Sequence, residues 1–159
     1  MQTRRLGLLA LLILMMGVMA GLQARATKNN VGTRLPDLNL QFTEDAPKCG
    51  GQPLLIEFWA TSCSSCRESV THLNALYGKF KPRGLEALGV TEDDEATVKA
   101  FKKDFPISYA VGHDRRGRLA SALGVVALPH AMLADKDGQI VWEGHPLNIT
   151  ESQLVELVK

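Results

Sequence analysis

The sequence predicts an α/β fold: a central mixed β-sheet flanked by helices, with an extra strand at its N-terminal end. Three observations carry this. Two apolar runs, PLLIEFWA over residues 53–60 and Leu85 to Val90, read as strands buried on both faces. The stretches that follow them show helical apolar spacing with start and stop signals. AMLAD, KDG and QIVWEG read as a β-hairpin turning at Asp137-Gly138. The chain has 159 residues, which suits one globular domain with an adequate core.

The elements follow in order. MQTRR is a basic start, and Leu6 to Leu22 is an uncharged apolar run. Ala24-Arg25-Ala26 then places small residues where a signal peptidase wants them, so residues 1–26 read as an export signal cleaved after Ala26. The other reading is an uncleaved membrane anchor. Residues 27–36 are polar and read as a flexible lead-in, with the folded domain over 37–159. Leu38 to Phe42 alternates as an edge strand does. Residues 45–53 form a Pro/Gly loop.

A helix is expected from about Cys63 to Phe80, with Val70, Leu73, Tyr77 and Phe80 on one stripe and Ser62 able to cap it. After the Leu85–Val90 strand, residues 93–105 read as a second helix, acidic in its first turn and basic in its last. Pro106 stops it. Tyr109 to Val111 is a short third strand, and Leu119 to Leu123 a short helix ended by Gly124. Thr150 and Gln153 form a capping box that opens a last helix with Leu154, Leu157 and Val158 inward.

Removing residues 1–26 takes away three arginines and leaves 15 Lys+Arg against 17 Asp+Glu. That balance gives no reason to expect nucleic acid as a partner, and a membrane only if the leader stays attached. Export would place the three cysteines where disulfides form and persist.

Cys63 and Cys66 stand at a strand-to-helix turn. Unpaired backbone N–H groups and the helix dipole favour the anion of the first cysteine. A thiolate is the nucleophile of disulfide exchange. Cys66, on the same helix face, can attack a mixed disulfide on Cys63 and release the product. A purely structural bridge is the alternative, but it would close too small a loop to constrain the unfolded chain much. Zinc would need further ligands, and there is no second CxxC. Cys49 is separated from Cys63 by a strand of roughly 26 Å at about 3.3 Å per residue, so it should not pair with either cysteine of its own chain. It reads as a free or semi-buried thiol, with an intermolecular bridge as the alternative.

Glu57 is the one charge in its strand. A carboxyl there is desolvated, which raises its pKa. It could take or give a proton, through water, as Cys66 attacks or leaves.

FWATSCSSC resembles the active site of the thioredoxin superfamily. Together with the leader, the N-terminal strand and GVVALPHAMLADKDGQIVWEG, it is similar to the TlpA/ResA/DsbE-type thiol–disulfide oxidoreductases of bacterial envelopes. The resemblance implies a thioredoxin fold and a catalytic disulfide between Cys63 and Cys66. It implies that Trp59 packs beside that pair. Glu57 takes the place of the buried acid of thioredoxins proper. Pro129 takes the place of the cis-proline facing the disulfide, with the Leu128 backbone free to pair with a substrate segment.

The chain departs from the family pattern at Ser69, where an acid is frequent, at Thr71, and at Ser62 before the first cysteine. The resemblance implies protein thiol or disulfide substrates, no cofactor, and a periplasmic or cell-envelope location. The lean is toward a reductant, as in cytochrome c maturation, fed by a membrane electron donor protein. A disulfide-introducing oxidant is the alternative. A Cu(I) chaperone using Cys63, Cys66 and His130 is the alternative from a different class.

Overall fold

The computed structural model describes residues 28–48 and 50–159. The leader expected over 1–26 and the thiol of Cys49 lie outside the described residues.

The apolar run becomes the central strand β2 (Leu54–Phe58), after a short edge strand β1 (Gln41–Phe42). Parallel neighbours need a crossover, and helix α1 (Ser64–Phe80) carries the chain from β2 to β3 (Glu86–Thr91). Helix α2 (Glu95–Asp104) carries it on to β4 (Ala110–His113), again parallel. A short helix α3 (Arg118–Ala122) leads to the hairpin of β5 (His130–Ala134) and β6 (Ile140–Gly144). β5 lies antiparallel on the free side of β2, and α4 (Glu151–Leu157) closes the fold. The sheet order is β1-β4-β3-β2-β5-β6, mixed as expected.

Strand alternation divides β2 between two cores. Leu55 and Trp59 face a cluster with Val70, Leu73, Tyr77 and Phe80 of α1, Val98 of α2 and Leu154 of α4. Leu54, Ile56 and Phe58 face a second cluster with Leu119, Leu123 and Met132. Glu57, two residues from both Leu55 and Trp59, therefore falls on the α1 face.

Local signals behave largely as read. Asp94 caps α2, its carboxylate accepting from Thr97 N–H at 2.8 Å. The Thr150–Gln153 capping box is formed in both directions.

Three details differ. The edge strand shrinks from Leu38–Phe42 to two residues, because tight turns at Asp37–Asn39 and Leu38–Leu40 use the backbone locally. Leu38 and Leu40 still pack on the second core.

Ser62 does not cap α1. Cys63 holds the cap position, with no side-chain cap bond. The chain entering the helix is fixed instead by Cys63 N–H on Ala60 O at 3.1 Å and by Thr61 N–H on the Asp93 carboxylate at 2.7 Å.

The polar segment read as a flexible lead-in is tied down over residues 28–36. Gly32 N–H donates to Ile140 O and Ile140 N–H to Thr33 O, each at 2.8 Å. Asn30 is buried, its backbone N–H on Glu143 Oε1 and its side-chain amide on Glu143 Oε2, both at 2.9 Å. Polar composition signals exposure, but here the polar groups are the docking groups.

Candidate active site

The turn between β2 and α1 presents the two cysteines, joined as a disulfide with Cα atoms 5.3 Å apart. They are unequal. Cys66 is fully buried within the first core, while Cys63 is partly exposed at the helix start. With no side chain capping that helix end, its first N–H groups and dipole act on the Cys63 position.

Trp59 lies beside the pair and is almost wholly buried. Its ring packs on Phe101 of α2 at 5.2 Å, Phe101 stacks on Phe105 at 5.0 Å, and the Arg67 guanidinium of α1 lies 5.0 Å over Phe105. This ladder ties α1 to α2 behind the disulfide.

The indole reaches close to the sheet because residue 89 is glycine. A Cβ there would stand 2.7 Å from Trp59 Nε1 and 3.2 Å from the Tyr109 ring, and Gly89 lies directly across from Glu57 in the β2–β3 ladder. Gly89→Ala is expected to destabilise the protein by about 1–3 kcal/mol through overpacking. A urea midpoint equal to wild type would show that the two rings have room to yield.

Glu57 is fully buried. The Ser69 hydroxyl donates to its Oε1, and the Tyr109 hydroxyl to its Oε2 at 2.7 Å. Ser69 Oγ is also 2.9 Å from the Cys66 carbonyl oxygen. Burial pushes the Glu57 carboxyl up to about 7, against the smaller opposing pull of the two hydroxyls. Burial, with Glu57 beside it, pushes the Tyr109 phenol well above its ordinary value. The Glu57 carboxyl is thus one hydroxyl removed from the Cys66 carbonyl, with a pKa near neutrality.

Neither Ser69 nor Tyr109 was singled out from sequence as a partner of Glu57. Ser69 stood out only as a departure from the family pattern. The signal was present in both: each is a polar residue at a position otherwise belonging to an apolar stripe or strand.

The Leu128–Pro129 peptide is cis. The β2–β5 register ends with Phe58 opposite His130, so one further step sets Pro129 across from Trp59. Pro129 is buried, whereas Leu128 and Val126 are 43% and 55% exposed. Exposed apolar side chains thus precede the cis-proline in a bend.

His130 is not part of this constellation. By alternation with Ala131 and Leu133 it belongs to the opposite face of β5, where its Nε2 lies 3.8 Å from Glu143 Oε2. Partial burial lowers its pKa, with Glu143 pulling the other way. The Cu(I) alternative needs this ring beside both sulfurs, and the strand turns it away. Among the described residues no group of three or more His, Cys, Asp or Glu side chains could hold a metal ion. Nor is any described helix long and apolar enough to cross a membrane.

Comparison with known proteins matches residues 31–143 to the family described as AhpC/TSA. A thiol-disulfide oxidoreductase ResA of Bacillus thuringiensis is 33% identical over 110 residues, 69% of this chain. The chain spans only 63% of that relative's length. The ResA of Halalkalibacterium halodurans is 29% identical over 137 residues, 86% of this chain and 77% of that protein. Among solved structures, a candidate DsbE-type thiol:disulfide interchange protein of Chlorobium tepidum superposes with a TM-score of 0.73 at 22% identity, covering 83% of this chain and all of that one. This likeness bears on the fold alone.

Proposed function

The chain belongs to the AhpC/TSA family, and from that premise we propose that it is a thiol–disulfide oxidoreductase of ResA type, exchanging disulfides with protein substrates through Cys63 and Cys66. The observation that carries this is the asymmetry of the pair. One sulfur is reachable at an uncapped helix start, the other is buried, and a buried carboxyl of raised pKa lies on the same core face.

In the reducing direction the Cys63 thiolate attacks a substrate disulfide and expels one substrate thiolate. The Cys66 thiol gives up its proton, with Glu57 the base, and attacks the Cys63 sulfur. The second substrate thiolate leaves, and the two electrons of the dithiol now reside on the substrate. Of the residues expected to bind substrate, Leu128 is exposed and its backbone would carry a substrate segment in extended form, while Trp59 and Pro129 are buried and support it from beneath. No cofactor enters the exchange.

The proposed setting is the bacterial envelope, supported by the basic start and apolar run of residues 1–26. The proposed direction is reductive, as in cytochrome c maturation, with electrons drawn from a membrane donor protein. The reduction potential of the full chain in thiol redox buffers tests this. A value near that of thioredoxin, about −270 mV, is the expected result. A value near that of DsbA, about −120 mV, would replace the reductant with a disulfide donor.

A further inference from the structure

Ser69 Oγ stands between two oxygens, Oε1 of Glu57 and the carbonyl of Cys66. A hydroxyl has one hydrogen, and a carbonyl can only accept. Two arrangements therefore exist. With Glu57 ionised, Ser69 donates to the carboxylate. With Glu57 protonated, the carboxyl donates to Ser69 Oγ, and Ser69 turns its hydrogen onto the Cys66 carbonyl. Tyr109 donates to Oε2 in both. No buried group of this set is stranded in either state, so the carboxyl can change its proton without an unsatisfied partner.

We propose that Ser69 is a positioning residue for the proton step of the exchange, its hydroxyl turning between the Glu57 carboxyl and the Cys66 carbonyl as Glu57 gains and loses its proton. This rests on the reading of Glu57 as the base for Cys66. Ser69 touches no substrate. It gives the Glu57 carboxyl a partner in both protonation states, the bond to the ionised carboxylate being the stronger, and links them to the backbone of the resolving cysteine.

The surroundings leave this network to itself. From α1 the groups near Glu57 are Ser69 and the titratable Cys66. From the residue before β4 it is the titratable Tyr109. Across the sheet, β3 and β5 place Gly89 and Ala131 opposite Glu57, without charge. Among the described residues, burial and the Ser69 and Tyr109 hydroxyls are what shift its titration.

The test uses the reduced full chain, with Cys49→Ser as the common background so that only the pair reacts, and 5,5′-dithiobis(2-nitrobenzoate). The first chromophoric thiolate released reports attack by Cys63, and the second reports resolution by Cys66. Rates are followed across pH for wild type, Ser69→Ala, Ser69→Thr and Glu57→Gln. In wild type the second phase is expected to gain rate through a midpoint near the Glu57 titration. Ser69→Ala, losing a hydrogen bond to the carboxylate, should move that midpoint up by about one pH unit, roughly tenfold in rate below it. The first phase should keep its profile, and Ser69→Thr should restore the second.

A wild-type midpoint that responds to Glu57→Gln but not to Ser69→Ala overturns the role of Ser69 alone. A midpoint indifferent to Glu57→Gln overturns the reading of Glu57, and the inference with it. A measurement on unaltered protein covers variants that fail to fold. In the oxidised chain the ¹³C shift of the Cys66 carbonyl should titrate with the same midpoint as the Glu57 carboxyl. A Cys66 carbonyl shift that stays flat through that titration overturns the proposal.

Discussion

Cys63→Ser is expected to reduce exchange to background, while Cys66→Ser is expected to leave a substrate protein covalently attached at residue 63. Both outcomes follow from the unequal burial of the pair. A substrate sulfur on another protein can meet only Cys63, which is partly exposed and sits where α1 begins without a capping side chain. Such a setting favours the thiolate of the reduced cysteine relative to a free thiol. Serine keeps the size but supplies no comparable nucleophile, and the first bond never forms. Without Cys66 the first bond does form and nothing inside the protein breaks it. Non-reducing electrophoresis of envelope extracts should show a higher-mass species that dithiothreitol collapses. Adducts forming on Cys63→Ser protein rather than on Cys66→Ser protein would reverse the order of attack.

Glu57→Gln is the second large effect, and it has two parts. The first concerns stability. The carboxyl has an ordinary value of 4.5 and rises to about 7 in the fold. Below 4.5 both folded and unfolded chains hold the proton, and pH has no leverage. Between 4.5 and 7 the unfolded chain releases it and the folded chain does not, so stability falls as pH rises. Above 7 both are ionised and the loss levels off. At about 1.36 kcal/mol per unit, the total is on the order of 3 kcal/mol. Glu57→Gln should therefore be flatter than wild type across that window and more stable at pH 8, as urea midpoints at pH 4, 6 and 8 would show. A wild-type midpoint that rises over this window would mean the carboxyl is not held protonated.

The second part concerns rate. Glutamine can accept from one of Ser69 and Tyr109 and turns an N–H onto the hydroxyl oxygen of the other, but it cannot take a proton. Positioned general bases contribute about 10²–10⁴-fold, so resolution at pH 7 should slow by on the order of 10² with attack by Cys63 little changed. Equal slowing of both steps would assign Glu57 a structural role.

The departure at Ser69 gains a physical meaning beside these results. This chain carries a hydroxyl on the helix, and the acid stands on the strand beneath it. A second carboxyl at residue 69 would be like-charged with Glu57 at short range and could ionise only at high cost.

The sequence by itself determined the fold class, the order of the elements and the place of the two cysteines at a strand-to-helix turn. Those properties are local or periodic. An eight-residue run, apolar but for Glu57 and ending in FWA, a helical stripe from Val70 to Phe80, and a capping box at Thr150 can each be read within one short window. The same period put Glu57 midway along a buried strand, which is enough to predict desolvation.

Only the tertiary structure decided what answers that buried charge. Ser69 is 12 residues from Glu57 and Tyr109 is 52; each interrupts an apolar pattern, but that pattern does not say which buried group it will meet. Only the tertiary structure placed Asn30 on Glu143, 113 residues away, and turned His130 from the disulfide. The physical reason is common to all of these. A buried polar group must find partners within about 3 Å, but which of the chain's many hydroxyls and amides comes that close depends on how the helices cross the sheet. That packing is a property of the whole chain, and no short window of sequence contains it.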